Sequence, residues 1–482
     1  MSGGLRTVLT ELADQMPPAS PGNVWQAGRR MRRRDRLRLV TRLAVALVVL
    51  ACLVPPVLHY RPLAEPAGGA AAVPGRVWTP WMWQGTVAQD PTGPAALLFS
   101  GDGLGLRGTD LVDHEGKVAV VGRDGSYRML LYGGAETVAG EEVQVSPDGR
   151  YVVQGHLAGA EQGWLVLTDL VDGRSRTLAG PDGRACCGVP VAWAPDGAAV
   201  LAMDMPEMPV GFDPMTGMGI LPTRLVLHDL TTGQSRVLVD ELGDHEKLRT
   251  ASLAAFSPDG RWIAVSQGSR VSLLGRTGGV AWTRDLGPGR HLAGPGAFTP
   301  DGRQIATLTL HGCRDECDTA ALAARSWQFG YLDAATGTDG TGPGFGPVTA
   351  MAVRVLGWRL GTDPVALTYR PEDGVRKSPE QSFDDTGWWE VGDATLVALR
   401  PGGGAEVLVD SPGEVLAMDV PRDLLESGRF GGPARPPAPF PARPLVLVAV
   451  VPLGLLLIAV GVPVAVAVVR RRRHRIDDLR HM

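Results

Sequence analysis

The residues of this sequence best suited to chemistry are its sulfurs and their neighbours. Met203, Met205, Met208, Met215 and Met218 lie close together, with Asp204 and Glu207 between them. Cys186-Cys187 precede this run, and His311, Cys313 and Cys317 form a second cluster. Thioether and thiolate ligands favour Cu(I), so one reading is a copper-handling domain using the five methionines. The other is a flexible apolar gap filler beside ordinary disulfides. The second is preferred, because no ligand quartet stands at metal spacing. No metal and no cofactor are therefore expected. Four of the cysteines allow three pairings. Cys313 with Cys317 closes locally and leaves Cys186-Cys187 as a vicinal pair, whereas crossed pairing joins distant parts of the chain.

Enzyme signatures are missing. There is no GxSxG elbow, no HExxH and no P-loop. Gly103-Leu104-Gly105-Leu106-Arg107-Gly108 fits GxGxxG after the apolar Ala95–Phe99, but no helical run opens after it, so it reads as a glycine-rich turn. Lys117, Lys247 and Lys377 are the only lysines, which leaves few amines for covalent catalysis. The chain is expected not to be an enzyme.

Charge divides the chain more sharply than its net −4 suggests. Residues 1–42 hold nine arginines and residues 470–482 hold six, while residues 43–469 are acidic overall. An acidic middle is repelled by phosphate backbones, which argues against nucleic-acid binding there. Each basic end adjoins an apolar run, 43–60 and 445–469, and the second is 25 residues long without a charge. Both read as transmembrane helices with their basic flanks in the cytoplasm. An uncleaved anchor is preferred over a signal peptide for the first, because the leader before it is far too long for an ordinary n-region. The expected order is a basic cytoplasmic segment (1–42), a first span (43–60), a linker (61–75) and an extracytoplasmic domain (76–426). A Pro-rich stalk (427–444), a second span (445–469) and a basic cytoplasmic tail (470–482) follow. The protein is thus expected in the cell membrane, multi-pass, with both termini cytoplasmic.

The elements that must carry the sulfurs come from a repeat. Ser146-Pro147-Asp148-Gly149 recurs as Ala194-Pro195-Asp196-Gly197, Ser257-Pro258-Asp259-Gly260 and Thr299-Pro300-Asp301-Gly302. Pro second and Gly fourth suit a type I turn, and the hydroxyl at the first position can bond locally. Each turn leads into an apolar strand, and a second turn follows, with Asp and a Gly four residues on: Asp169 and Gly173, Asp229 and Gly233, Asp333 and Gly337. Four short strands at a period of roughly 40–50 residues describe a propeller blade. One blade cannot bury both faces of its sheet, so neighbours must stack around an axis. The fold class expected is all-β: a six-bladed β-propeller, with seven blades as the alternative, flanked by the two transmembrane helices. Its ring closes by pairing near Ala95–Phe99 and Glu414–Val420. Two blades carry insertions between their second and third strands, and these bring the methionines and Cys313 and Cys317 to one face. Trp164, Trp193, Trp262, Trp327 and Trp358 are expected between blades.

The Ser-Pro-Asp-Gly-Arg and Asp-x-x-x-Gly turns resemble the WD-repeat-like propeller repeats of the TolB type, and the flanking spans resemble those of uncharacterised membrane-anchored actinobacterial proteins. The first resemblance implies a propeller over most of residues 76–426 and a binding, sensing or scaffolding role, with a protein or small ligand on the loop-rich face or in the axial channel. Asp229-x-x-Thr232-Gly233 and Asp333-x-x-Thr336-Gly337 also resemble quinoprotein propellers, which implies an alternative as a quinone-dependent oxidoreductase. Those repeats continue to a Trp four residues after the Gly, where this sequence has Val237 and Thr341.

Overall fold

The computed structural model describes residues 72–80, 84–101, 117–131, 138–155, 163–183, 187–205, 223–242, 253–267, 269–314, 316–377, 391–413 and 415–437. Six four-stranded antiparallel sheets follow one another along these residues. Blade I contains β1 (Ala95–Gly101), β2 (Lys117–Gly122) and β3 (Tyr127–Leu131). Blade II is β4 (Val143–Val145), β5 (Tyr151–Gly155), β6 (Leu165–Asp169) and β7 (Ser175–Leu178). Blade III is β8 (Gly188–Trp193), β9 (Ala199–Asp204), β10 (Arg224–Asp229) and β11 (Ser235–Val239). Blade IV is β12 (Ala254–Phe256), β13 (Trp262–Gln267), β14 (Arg270–Gly275) and β15 (Val280–Asp285). Blade V begins with β16 (Arg290–Leu292) and β17 (Gln304–His311). A short strand β18 (Cys317–Asp318) and helix α1 (Thr319–Ala323) interrupt it before β19 (Ser326–Asp333) and β20 (Val348–Thr349) complete it. Blade VI is β21 (Ala352–Arg359), β22 (Asp363–Pro371), β24 (Val391–Leu399) and β25 (Ala405–Val409), with β23 (Arg376–Lys377) between β22 and β24. The last strand, β26 (Val415–Asp419), completes blade I, and helix α2 (Arg422–Ser427) follows it.

Closure occurs where the sequence predicts it. β26 lies on β1 with Phe99 opposite Met418 and Leu98 opposite Asp419. The sheet order β26-β1-β2-β3 makes the C-terminal strand the innermost of blade I. The ring is therefore a six-bladed β-propeller, and no seventh sheet of this kind exists among the described residues.

Burial explains the composition of the strands. In blade IV, β13 buries Ile263, Ala264 and Val265 in succession, while all but one residue of the outermost β15 are exposed. A strand near the axis is covered on both faces by neighbouring blades, so its apolar run does not alternate. The core accordingly lies between sheets. Val153, Trp164, Leu165 and Leu167 of blade II pack with Val200, Ala202 and Val226 of blade III. Indole nitrogens add hydrogen bonds between blades: Trp358 donates to the Gly296 carbonyl, Trp282 to Ala334 and Trp164 to Asp204, each at 2.9 Å. Trp262 departs from expectation. It is 40% exposed, because it opens β13 beside the turn instead of facing the next blade.

The two ends of the described chain meet. Val73 N–H donates to the Arg429 carbonyl at 2.8 Å, and Gly432 N–H to the Val73 carbonyl at 2.9 Å. Val77 N–H donates to the carbonyl of Asp410, just past the outermost strand of blade VI, at 2.9 Å. The segments expected to cross a membrane, 43–60 and 445–469, lie outside the described residues, as do 1–42 and 470–482. Among the described residues no helix is long and apolar enough to cross one.

Candidate functional site: the axial channel

The repeated turns build one face of the disc. In blade II the Ser146 hydroxyl donates to Asp148 Oδ1 at 2.6 Å and accepts from Tyr151 N–H at 2.8 Å, while Gly149 N–H donates to the Ser146 carbonyl at 2.9 Å. Ser257 with Asp259 and Thr299 with Asp301 repeat the pattern. Those hydroxyls, with nearby amides and arginines, hold the Asp259 and Asp301 carboxyls below the usual range against the opposing effect of burial. At Ala194 the hydroxyl is absent, and Asp196 accepts from Ala198 N–H at 2.9 Å and from Arg276 Nη1 at 3.4 Å.

Consecutive turns also touch. A side chain on Gly149, Gly197, Gly260 or Gly302 would meet, respectively, Pro421, Pro147, Pro195 or Pro258 of the preceding blade within 4.0 Å. All four glycines have φ between 69° and 76°, so Gly serves both the backbone and the contact.

Immediately before each turn stands one large apolar residue. Val145, Trp193, Phe256 and Phe298 are opposite Val152, Val200, Ile263 and Ile305 in their ladders. Trp358 and Val420 occupy the corresponding places in blades VI and I. All six line a central cavity of about 470 Å³, with Pro147, Pro258 and Pro300 at the turns and Arg422 and Glu426 of α2.

Two charged side chains enter this cavity from innermost strands. Arg354 of β21 is 4% exposed and reaches past blade I to blade II, where Nη2 donates to the Gly140 carbonyl. Its Nη1 stands 4.0 Å from Glu141 Oε1 and has no hydrogen-bond partner among the described residues. Asp419 of β26 accepts from Val145 N–H at 2.8 Å and from Val420 N–H at 3.1 Å. Burial pushes its carboxyl up to about 6, although those amides and the Arg354 charge act in the opposite direction. A guanidinium and a carboxylate held by backbone bonds can orient a polar ligand. They do not amount to an activated nucleophile or a metal centre, and no cluster able to hold a metal exists among the described residues.

The sulfur residues lie elsewhere. Cys313 and Cys317 are bonded to each other, with Cα atoms 5.9 Å apart. Arg325, fully buried, donates to the Cys313 carbonyl at 2.9 Å and contacts Cys317 Sγ at 3.8 Å. The loop joins blade VI, since β18 pairs with β23 and Thr319 Oγ1 donates to the Val375 carbonyl at 2.8 Å. Met203 sits in β9, and Met205 N–H donates to the Cys187 carbonyl at 3.0 Å. Cys187 is disulfide-bonded; Cys186, Met208, Met215 and Met218 lie outside the described residues. Of the candidate sulfur residues that are described, Met203, Met205, Cys187, Cys313 and Cys317, none lines the axial cavity. Sequence reasoning missed Arg354, Asp419 and the apolar ring. Arg354 within the apolar run Ala352–Trp358 was a readable signal, because an ionised group in a doubly covered strand needs a polar destination.

The arrangement is that of a six-bladed β-propeller. Solved structures similar to the chain include TolB from Acinetobacter baumannii (14% identity, covering 66% of each chain, TM-score 0.34). Another is a TolB-like protein from Agrobacterium tumefaciens (15% identity, covering 68% of this chain and 98% of that one, TM-score 0.34). A third is an oligogalacturonate lyase in complex with manganese (13% identity, covering 61% and 70%, TM-score 0.37). No family model matches the chain, and no curated protein matches it. The fold assignment rests on the sheets themselves.

Proposed function

We propose that this chain is a membrane-anchored, extracytoplasmic propeller that acts as a non-enzymatic ligand-binding, sensing or scaffolding module, with the axial channel as its binding place. The observation that carries this reading is the Arg354–Asp419 pair, two charged groups directed into one apolar-rimmed cavity without a salt bridge between them. Burying such groups costs free energy that packing does not return, which favours retention for recognition over retention for stability. Support for the tether comes from the uncharged 445–469 run, the two arginine clusters and the backbone pairing of Val73 with Arg429 and Gly432.

A photo-cross-linker in place of Glu426, on the channel rim, should capture a small molecule or protein in cells. The same group in place of Val280, on the outer strand of blade IV, should capture none. Capture confined to Val280 would defeat the channel reading. Reporter fusions after Met16, within 427–444 and after Met482 test the topology; a cytosolic signal from the middle fusion would reverse it.

A further inference from the structure

Among the described residues five large apolar side chains are exposed, and their places form a pattern. Val280 and Val407 belong to the outermost strands β15 and β25, on the circumference of the disc. Val171, Trp262 and Leu360 stand at turns, all on the face built by the Pro-Asp-Gly repeats. Val171 lies in the turn 169–173 of blade II, Trp262 follows the turn 257–260 of blade IV, and Leu360 is in the turn joining β21 to β22 of blade VI. One such residue in every second blade gives three supports about the axis, which define a plane across that face. Leu360 is the most exposed of the five, at 68%, and its φ is 51°. That backbone region ordinarily takes Gly or Asn, so a solvent-facing leucine there gives up stability and gains no burial within the propeller.

The chain leaves the propeller at the same face. There α2 packs against the turns: Leu360 N–H donates to the Glu426 carbonyl at 3.1 Å, and Asp423 N–H to the Pro147 carbonyl at 3.0 Å. From α2 the backbone passes Val73 to Arg435, whose Nη1 donates to the Asp124 carbonyl at 3.4 Å in the β2–β3 turn of blade I. That turn adjoins the Pro-Asp-Gly turn of blade II, since Arg123 Nη2 donates to the Asp148 carbonyl at 2.7 Å. Seven residues, 438–444, separate Pro437 from the uncharged run 445–469. Fully extended they reach at most about 25 Å. The nine residues of β22 alone are about 30 Å long. The stalk is therefore too short to pass round the disc and set the opposite face on a membrane. The turn face also answers much of its own charge: Asp169, Asp259 and Asp423 each have an arginine, at 2.8, 3.2 and 2.7 Å.

We propose, on the basis of the membrane tether above, that the turn face rests on the surface of a phospholipid bilayer, with Val171, Trp262 and Leu360 dipping into the headgroup layer. Apolar tips set among paired charges suit a boundary that is zwitterionic above and apolar below, and tryptophan is enriched at that depth. The tether keeps the tips at a high effective concentration beside the lipid, so three small insertions suffice where an untethered domain would need more. The opposite face, which carries β18 and α1, then points away from the bilayer.

The test places a photo-cross-linking residue at Val171, Trp262, Leu360 or Val407 of the full chain in phosphatidylcholine vesicles and reads lipid adducts by mass spectrometry. Val407, nearly as exposed as Leu360 and on the same blade, is the control. Each turn position should give at least about tenfold more lipid adduct than Val407. The yield should change by less than about twofold between about 0.1 and about 0.5 M salt, because apolar insertion is not screened. Combining Val171→Ser with Leu360→Asn should lower the lipid adduct at position 262 by about threefold or more without lowering the melting temperature, since Asn accepts the left-handed backbone. Equal lipid adduct at Val407, adducts to protein in place of lipid, a yield that collapses with salt, or an unchanged yield at position 262 in the double variant would each overturn the proposal. Should the double variant fail to fold, the comparison with Val407 still decides. Absent lipid adducts with residues 427–444 reported outside the cytosol would sink the docking and leave the tether standing, whereas a cytosolic report from 427–444 sinks the tether reading by itself. The channel reading is judged apart from both, by a non-lipid adduct at Glu426.

Discussion

Blades I and IV share one design and differ in how the chain supplies it. Blade IV is contiguous, from Ala254 to Asp285, and its two inner strands are joined by the Ser257-Pro258-Asp259-Gly260 turn. Blade I takes its innermost strand from the far end of the chain and has no such turn. In its place stand Pro421 and α2, and Asp423 N–H donates to the Pro147 carbonyl at 3.0 Å. The contrast teaches that one ring is held in two ways. A contiguous blade is secured by a local turn, whereas the composite blade depends on long-range packing. That composite blade, with its neighbours II and VI, also brings Asp419, Glu141 and Arg354 together.

The largest effect should come from breaking the composite blade. Phe99 is fully buried, opposite Met418 across the closing pair. Phe99→Ala should cost about 3–5 kcal/mol in urea unfolding, more than the same change at Phe256 on the innermost strand of blade IV. Equal costs would show that closure has no special weight.

Next come two buried titratable groups with opposite pH signs. Asp419 rises from 3.8 to about 6 in the folded protein, so the native state holds the extra proton between those values. Its contribution to stability is therefore lost as pH rises through that window, on the order of 2–3 kcal/mol. Burial lowers His291 from 6.5 to about 4, so there the unfolded state holds the extra proton. Its contribution is lost as pH falls from about 6.5 to 4, by a similar amount. Subtracting the stability–pH curves of Asp419→Asn and His291→Gln from that of the unaltered protein should give slopes of opposite sign. A slope of the wrong sign in either difference would refute the assignment of that group.

The disulfide should matter less to global stability. Cys313 and Cys317 close a very short loop, so the entropy withdrawn from the unfolded chain is worth about 2 kcal/mol at most. Cys313→Ser should raise hydrogen exchange around α1 and β18 more than it lowers the unfolding midpoint. Loss of the whole propeller on reduction would make the bridge a global staple.

The smallest effect compares equivalent turns. Ser257→Ala removes a hydroxyl that bonds both Asp259 and the Trp262 amide, and should cost about 1 kcal/mol. Ala194→Ser, adding that hydroxyl to blade III, should recover several tenths. Thermal unfolding of both variants checks the pair, and no difference between them would mean that the hydroxyl is idle.

Much of the architecture was legible because its causes are local. A Pro-Asp-Gly tetrapeptide bends the chain through its own φ values and its own side-chain oxygen, and an apolar run covered on both faces declares an inner strand wherever it occurs. Those signals yielded the blades, the loops that carry insertions and the closing pair near Ala95–Phe99 and Glu414–Val420. The sequence also separated an acidic middle from two basic ends. Only the tertiary structure showed that Arg354 crosses blade I to reach Gly140, that Asp419 takes its hydrogen bonds from Val145 and Val420, and that six residues from six blades make one rim. Arg354 is separated from Gly140 by 214 residues, and Asp419 from Val145 by 274. No local preference encodes such a meeting. It arises because closing the ring brings strand ends together about one axis, and burial there determines which charges must find partners.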